Sequence, residues 1–155
     1  MKNFSHLDKK GKARMVDVSQ KQATLRYAKA EATVKMSSET VEKIKKSEIK
    51  KGDVFTTAKL AAIMSAKSTS SLIPLTHPLK ITYSDVKFSF LKDGIKIISE
   101  VKVFDTTGCE MEALTMVAVT GLTIYDMVKA VDRSAEITDI RLLEKRGGKS
   151  GIWKR

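Results

Sequence analysis

Asp126 and Lys129 stand three residues apart in "LTIYDMVKA" (Leu122 to Ala130), a stretch otherwise almost wholly apolar. Residues at i and i+3 of a helix share a face, so the two form one carboxylate–ammonium pair. A charged pair on a mostly buried helix is costly unless partnered, and such places are where proton-transfer groups acquire shifted pKa values. The same pair can equally be an ordinary surface ion pair, and the sequence leaves the two readings level. Glu110 and Glu112 open the same apolar stretch, where acids commonly just complement the helix dipole. His77 lies between Pro74 and Pro78, the only two prolines of the chain, in "LIPLTHPL" (Leu72 to Leu79). Proline fixes its own φ and drives the preceding residue out of the helical region. The segment therefore reads as stiff and extended, presenting Leu75, Thr76 and His77 in one direction. It is either a binding wall or a well-made loop.

Three other features carry less. Lys51, beside Gly52, is one turn lysine among many, and His6 carries no signal. The tail "GGKS" has the ending of a phosphate-binding P-loop, but Leu143 occupies the position where the first glycine is required. Too few residues follow to build the receiving helix, so a P-loop nucleoside triphosphatase is excluded. A basic tail that closes over phosphate oxygens is not. One cysteine, Cys109, and two distant histidines do not supply a metal-ligand spacing, so no metal and no cofactor are expected.

Composition bounds the rest. A length of 155 residues suits a single domain with a real core. No apolar run looks long enough to span a bilayer, and no cleavable leader is seen. A lone cysteine excludes an internal disulfide framework and points to a reducing cytoplasm. The net charge of +11 attracts polyanions: nucleic acid, phosphorylated metabolites or an anionic membrane. Aromatic residues make up only 6% of the chain, which argues against single-strand binding through stacking platforms.

These residues need elements to hold them. Residues 1–22 show no period and read as an irregular arm. From Ala28 to Met36 small apolar residues alternate with polar ones, a strand with one wet face. Ser37 or Ser38 caps a short helix carrying Val41 and Ile44. Asp53 caps the next helix, which should run to about Thr69 with an unusually small face of Ala58, Ala61, Ala62 and Ser65. Asp93-Gly94 between two β-rich runs predicts a hairpin in which glycine takes a positive φ. A long apolar helix follows from Gly108, then a strand over 137–143, then a basic Gly-rich tail over 145–155. The order predicts an α+β fold of the ferredoxin-like, split βαβ type: a four-stranded antiparallel sheet with helices on one face.

"MVDVS" (15–19), "KGDVF" (51–55), "LIPLTHPL", "EMEALT" (110–115), "LTIYDMVKA" and "GGKSG" (147–151) occur in this order. Together they resemble the cyclic pyranopterin monophosphate synthase family of molybdenum cofactor biosynthesis, from about Met15 to Gly151. The resemblance implies an enzyme that rearranges a cyclised dihydroguanosine triphosphate to cyclic pyranopterin monophosphate with loss of diphosphate, a phosphorus–oxygen lyase. It also implies a hexamer built as a trimer of dimers, with active sites at subunit interfaces. A transient contact with the upstream radical enzyme is compatible with it. By position, the family's catalytic aspartate falls on Asp126, its partner on Lys129 and its turn lysine on Lys51. Substrate-binding segments fall on Leu75-Thr76-His77 and Met111-Glu112, with Glu110 adjacent. Lys67, Lys145 and Lys149 become candidates for the triphosphate, and Lys21 and Arg26 candidates to reach over from a neighbouring subunit. The chemistry asks for a lysine pKa drawn downward by burial and a cationic cluster. A basic ferredoxin-like domain also resembles an RNA-recognition module, but the strand over 95–104 offers only Phe104 and no stacking signature. Neither nucleic acid nor membrane is an expected partner.

Overall fold

The alternation of small apolar and polar residues forms β1 (Thr24–Lys35), which begins at Thr24 rather than at Ala28. The computed structural model describes residues 10–149 and 151–155; the first nine residues of the expected arm, and Ser150 of the tail, lie outside the described residues. Ser37 caps α1 (Ser38–Lys45), its side chain accepting from the Thr40 N–H. Asp53 caps α2 (Val54–Leu72) by accepting from the N–H groups of Phe55 and Thr56, and the helix runs past Thr69 to Leu72. There follow β2 (Ile81–Leu91), β3 (Gly94–Asp105), α3 (Glu110–Val128), β4 (Glu136–Arg146) and β5 (Trp153–Lys154).

The strands make one antiparallel sheet in the order β2-β3-β1-β4-β5. The sheet therefore has five strands, not the expected four. The end of the tail folds back so that Trp153 pairs with Lys145 and Lys154 with Glu144. A strand of two residues has no readable period, which is why sequence pattern does not reveal it.

On one face of β1, Ala28, Ala30, Ala32 and Val34 are completely buried, as are Ile95, Ile97, Val101 and Val103 on β3. α3 lies across this face, and the Ser99 hydroxyl of β3 donates to the Ala113 carbonyl of the helix at 2.8 Å. The methyl side chains of β1 let the helix axis come close to the sheet. α2 lies alongside α3 with Ala58, Ala62, Ser65 and Ala66 buried; Ala61, expected in that row, is half-buried. α3 is long and apolar enough to cross a bilayer, which corrects the expectation that no such run exists. Its apolar circumference is explained by packing: Ala113, Met116, Val117 and Ile124 are fully buried.

The opposite face of the sheet is charged. Glu31 is only 4% exposed there. Arg141 of β4 holds it at 2.6 Å and Lys96 of β3 at 2.7 Å. β4 is irregular at this level, with register shifts against β1 and a left-handed Asp139 at φ 56°.

The Asp93-Gly94 hairpin forms, but not for the expected reason. Gly94 does not adopt a positive φ. A Cβ at this position would meet the Val34 carbonyl oxygen at 2.5 Å and the Lys35 Cα at 3.2 Å, so glycine permits the close approach of β1. Gly94→Ala should therefore destabilise the protein by about 1–3 kcal/mol, the usual cost of forcing atoms into packed space. Urea unfolding would show this as a lower midpoint at unchanged slope; an unchanged midpoint would mean β1 yields without cost.

Candidate active site

The N-terminal end of α3 is flanked by the proline segment on one side and the basic tail on the other. A cavity of 880 Å³ is lined there by Lys21, Arg26, Tyr27, Thr106, Glu110, Lys145, Gly147, Gly148 and Lys149. A smaller one of 320 Å³ is lined by Val16, Val18, Leu75, Thr76, His77, Met111 and Glu112. Lys21, Thr107, Gly108 and Glu110 line both, so the two are lobes of one depression. The larger lobe is cationic. Lys145 and Glu110 pair at 2.9 Å, and the Arg26 guanidinium donates through Nη2 to the Thr106 carbonyl at 3.1 Å. Lys21 and Arg26 line the same cavity as Lys145 and Lys149 of their own chain.

The smaller lobe has a different character. Glu112 is 3% exposed, and burial pushes its carboxyl up to about 7, with the nearby Glu110 charge acting in the same direction. Near neutrality it can thus both donate and accept a hydrogen bond. Contrary to expectation, the proline segment is not extended throughout but turns between Ile73 and Thr76. Thr76 donates from its N–H and its hydroxyl to the Ile73 carbonyl, at 3.2 and 2.9 Å, closing a turn. Pro74 sits at the second position of that turn, where its fixed φ is preorganised. His77 follows directly after the turn, half-buried at the cavity wall. Cys109, beside the two acids, is buried with its thiol pushed up to about 12 by burial, and its Sγ faces the Val101 carbonyl; it is a core residue.

The other charged cluster occupies the opposite end of α3. At 1.5 Å per residue, Asp126 stands about 24 Å along the helix from Glu110. Lys51 reaches it from the turn before α2, donating at 2.8 Å to the carboxylate and at 2.8 Å to the Asp126 carbonyl. Lys129 meets the other carboxylate oxygen at 2.7 Å. These two ammonium groups, Lys129 foremost, hold the Asp126 carboxyl down to about 2, and Asp126 in turn raises Lys129. The downward shift expected of a lysine is therefore not found at Lys129, where Asp126 outweighs desolvation. The side chains are 40%, 55% and 50% exposed for Lys51, Asp126 and Lys129, because Asp126 lies on the outward side of α3 with exposed Leu122, while Met127 and Val128 beside it stay buried.

Of the sequence candidates, Lys21, Arg26, Leu75, Thr76, His77, Glu110, Met111, Glu112, Lys145 and Lys149 come together around one depression. Lys51, Asp126 and Lys129 form a second group. Lys67 lines neither lobe: it lines a shallow cavity with Ile63 and Tyr83 that adjoins the smaller lobe through Leu79. Sequence reasoning missed the β3–α3 loop, Thr106 to Gly108. Its signal was Gly108, where any Cβ would overlap the Glu110 carboxylate.

Comparison with known proteins adds a second line. The model of the MoaC family matches residues 15–148. A cyclic pyranopterin monophosphate synthase of Syntrophomonas wolfei is 56% identical over 151 residues, covering 96% of each chain. Another, of Desulfitobacterium hafniense, is 53% identical over 153 residues, 98% of this chain and 94% of the relative. A third, of a Thermoanaerobacter species, is 50% identical over 155 residues, 99% and 98% of the two chains.

The buried carboxyl of Glu112 generates a pH test. Its folded-state pKa lies above the ordinary 4.5, so the folded chain binds more protons than the unfolded one between about 4.5 and about 7. Stability is lost as pH rises through that window. Glu112→Gln removes this dependence and should match wild type near pH 5 but exceed it near pH 8, by about 3 kcal/mol at full effect. Thermal melts of the two proteins at both pH values check it. A difference that stays constant with pH would show that Glu112 is not buried in ionisable form.

Proposed function

The chain belongs to the MoaC family, and from that membership we infer that it is a cyclic pyranopterin monophosphate synthase of molybdenum cofactor biosynthesis. The observation that carries this function into the geometry is the two-lobed depression at the start of α3. Its cationic lobe suits a triphosphate. Its narrower lobe sets Glu112 and His77 against a flat guanine-derived ring, whose N–H-rich edge suits a carboxyl group.

The substrate on this proposal is the cyclised dihydroguanosine triphosphate, and the enzyme is a phosphorus–oxygen lyase. After ring opening, a ribose-derived hydroxyl attacks the α-phosphorus. A new P–O bond closes the cyclic monophosphate as the bond to the bridging oxygen breaks, and diphosphate departs with that oxygen. The hydroxyl proton passes to a base. Lys21, Arg26, Lys145 and Lys149 neutralise the departing diphosphate, which such a step needs more than covalent catalysis. Lys51 and Lys129 carry protons, and Asp126 holds both ammonium groups in place. Substrate reaches these three from the depression of a neighbouring chain, and no metal or organic cofactor enters the scheme.

One chain does not bring the two groups together: about 24 Å of helix separates them. We therefore read the active site as shared between subunits, with the Asp126 end of one chain beside the Glu110 end of the next. The outer side of the helical layer has exposed apolar residues available for such a contact: Leu60, Met64 and Leu122. A hexamer arranged as a trimer of dimers fits this need. The strand order, with β1 between β3 and β4, supports a ferredoxin-like description of a single domain with an N-terminal arm over 1–22 and a tail over 145–155. A cytoplasmic location and a transient contact with the upstream radical enzyme complete the proposal.

Complementation tests the shared site. Asp126→Asn and Lys145→Ala proteins, each inactive, should regain activity when their subunits are exchanged, up to about a quarter of wild-type sites for random pairing in a two-fold dimer. Lys51→Ala mixed with Asp126→Asn should regain none, because both lesions fall on the same end of one chain. Recovery in the second mixture, or none in the first after proven exchange, overturns the arrangement. Each single variant should lose roughly two or more orders of magnitude in turnover if its group moves protons. Near-normal turnover in Asp126→Asn would remove that residue from the catalytic set.

A further inference from the structure

Gly147 and Gly148 follow β4 with φ values of 97° and 72°. Their surroundings differ in kind. A Cβ on Gly147 would strike the Leu25 carbonyl, a backbone atom of β1, so the fold itself excludes a larger residue. A Cβ on Gly148 would overlap Nη1 of Arg26 and lie 3.2 Å from Nη2, the far end of a side chain that could swing away. The space that a Cβ would occupy is therefore held by the guanidinium. From its other side the same group is fixed by the Thr106 carbonyl at 3.1 Å, and its Nε is buried without a hydrogen-bond partner among the described residues. A buried donor left unpaired is uncommon and calls for an explanation. Arg26 lines the cavity together with Lys21, Lys145 and Lys149.

We propose that Gly148 is a positioning residue for phosphate recognition: by lacking a Cβ it lets the Arg26 guanidinium lie against the tail backbone, held by Thr106 and aimed into the cationic lobe. A planar fork fixed in advance binds phosphate oxygens with less ordering cost than a free side chain. The tail thus acts through its backbone as well as through Lys149. This rests on the cationic lobe being the triphosphate site.

Gly148→Ala should weaken binding of inorganic triphosphate about tenfold, the scale of one lost charged hydrogen bond, and raise KM far more than it lowers kcat. Gly151→Ala is the matched comparison: its φ is 63°, so it bears a similar left-handed backbone penalty, but nothing lies within 4 Å of its Cβ. It should bind within about twofold of wild type, being free of the clash. In an Arg26→Lys background, Gly148→Ala should add no further loss, the mark of residues acting as one unit. Gly148→Asn adds a Cβ at a smaller backbone penalty and should reproduce the effect if the alanine variant folds poorly. Equal losses in the two alanine variants, or additive losses with Arg26→Lys, overturn the proposal. If Arg26→Lys itself binds triphosphate like wild type, the assignment of the lobe falls, and the positioning role with it.

Discussion

The burial of α3 against the methyl-lined face of β1 is the constraint on which the rest of the structure depends. Ala28, Ala30 and Ala32 contribute little volume, and that is their use: the sheet surface beneath the helix is shallow enough for Met116, Val117 and Ile124 to be sealed completely. A helix clamped in this way behaves as a spacer of fixed length. Its charged residues are confined to its two ends. One end opens beneath the tail and the proline turn; the other carries an acid met by Lys129 and by Lys51 from the turn before α2. Neither cluster can be shifted along the helix without rebuilding the core.

The two ends are also electrostatically distinct. At the first, a carboxyl sits in a dry setting beside a second acid and is held close to its neutral form, while cations gather on the tail side. At the second, a solvated carboxylate is gripped by two ammonium groups and stays ionised to low pH. Desolvation sets the first and direct pairing the second. The contrast does not come from distance along the helix: Glu112 is sealed against the fold, whereas Asp126 faces solvent, where its charge stays fixed between two ammonium groups.

Much of this was legible in the sequence because it depends on local periods and caps. The alternation in β1, the Asp53 cap and the apolar run of α3 each follow from residues a few positions apart. The roles of the lysines were harder. Spacing puts Asp126 and Lys129 on one face but does not say that this face of α3 is left open, so their exposure, and the upward rather than downward shift of Lys129, needed the fold. Pro74 reads as an extender in the sequence but seeds a turn, since a fixed φ serves both and only the Thr76-to-Ile73 closure decides. Gly94 looked like a turn glycine, whereas its constraint comes from β1, some sixty positions away in sequence. The separation of the two candidate clusters, by contrast, was computable from residue numbers once one helix was assumed to carry both.

The buried Glu31 bears on a different matter, the uniqueness of the sheet. A strand that slips by two residues returns every side chain to the same face, so hydrophobic burial barely distinguishes the slipped pairing from the true one. Glu31 does distinguish them. Its direct partner across β1–β4 is Arg141, and a two-residue shift in one sense would put Asp139 opposite it instead, acid against acid. That shift would also carry Lys145, Gly147 and the tail about 7 Å along the sheet, away from Arg26 and Glu110. An ion pair on the far side of the sheet from the cavity therefore acts as its alignment pin. It specifies one pairing among near-equals, and with it the coordinates of groups it never touches.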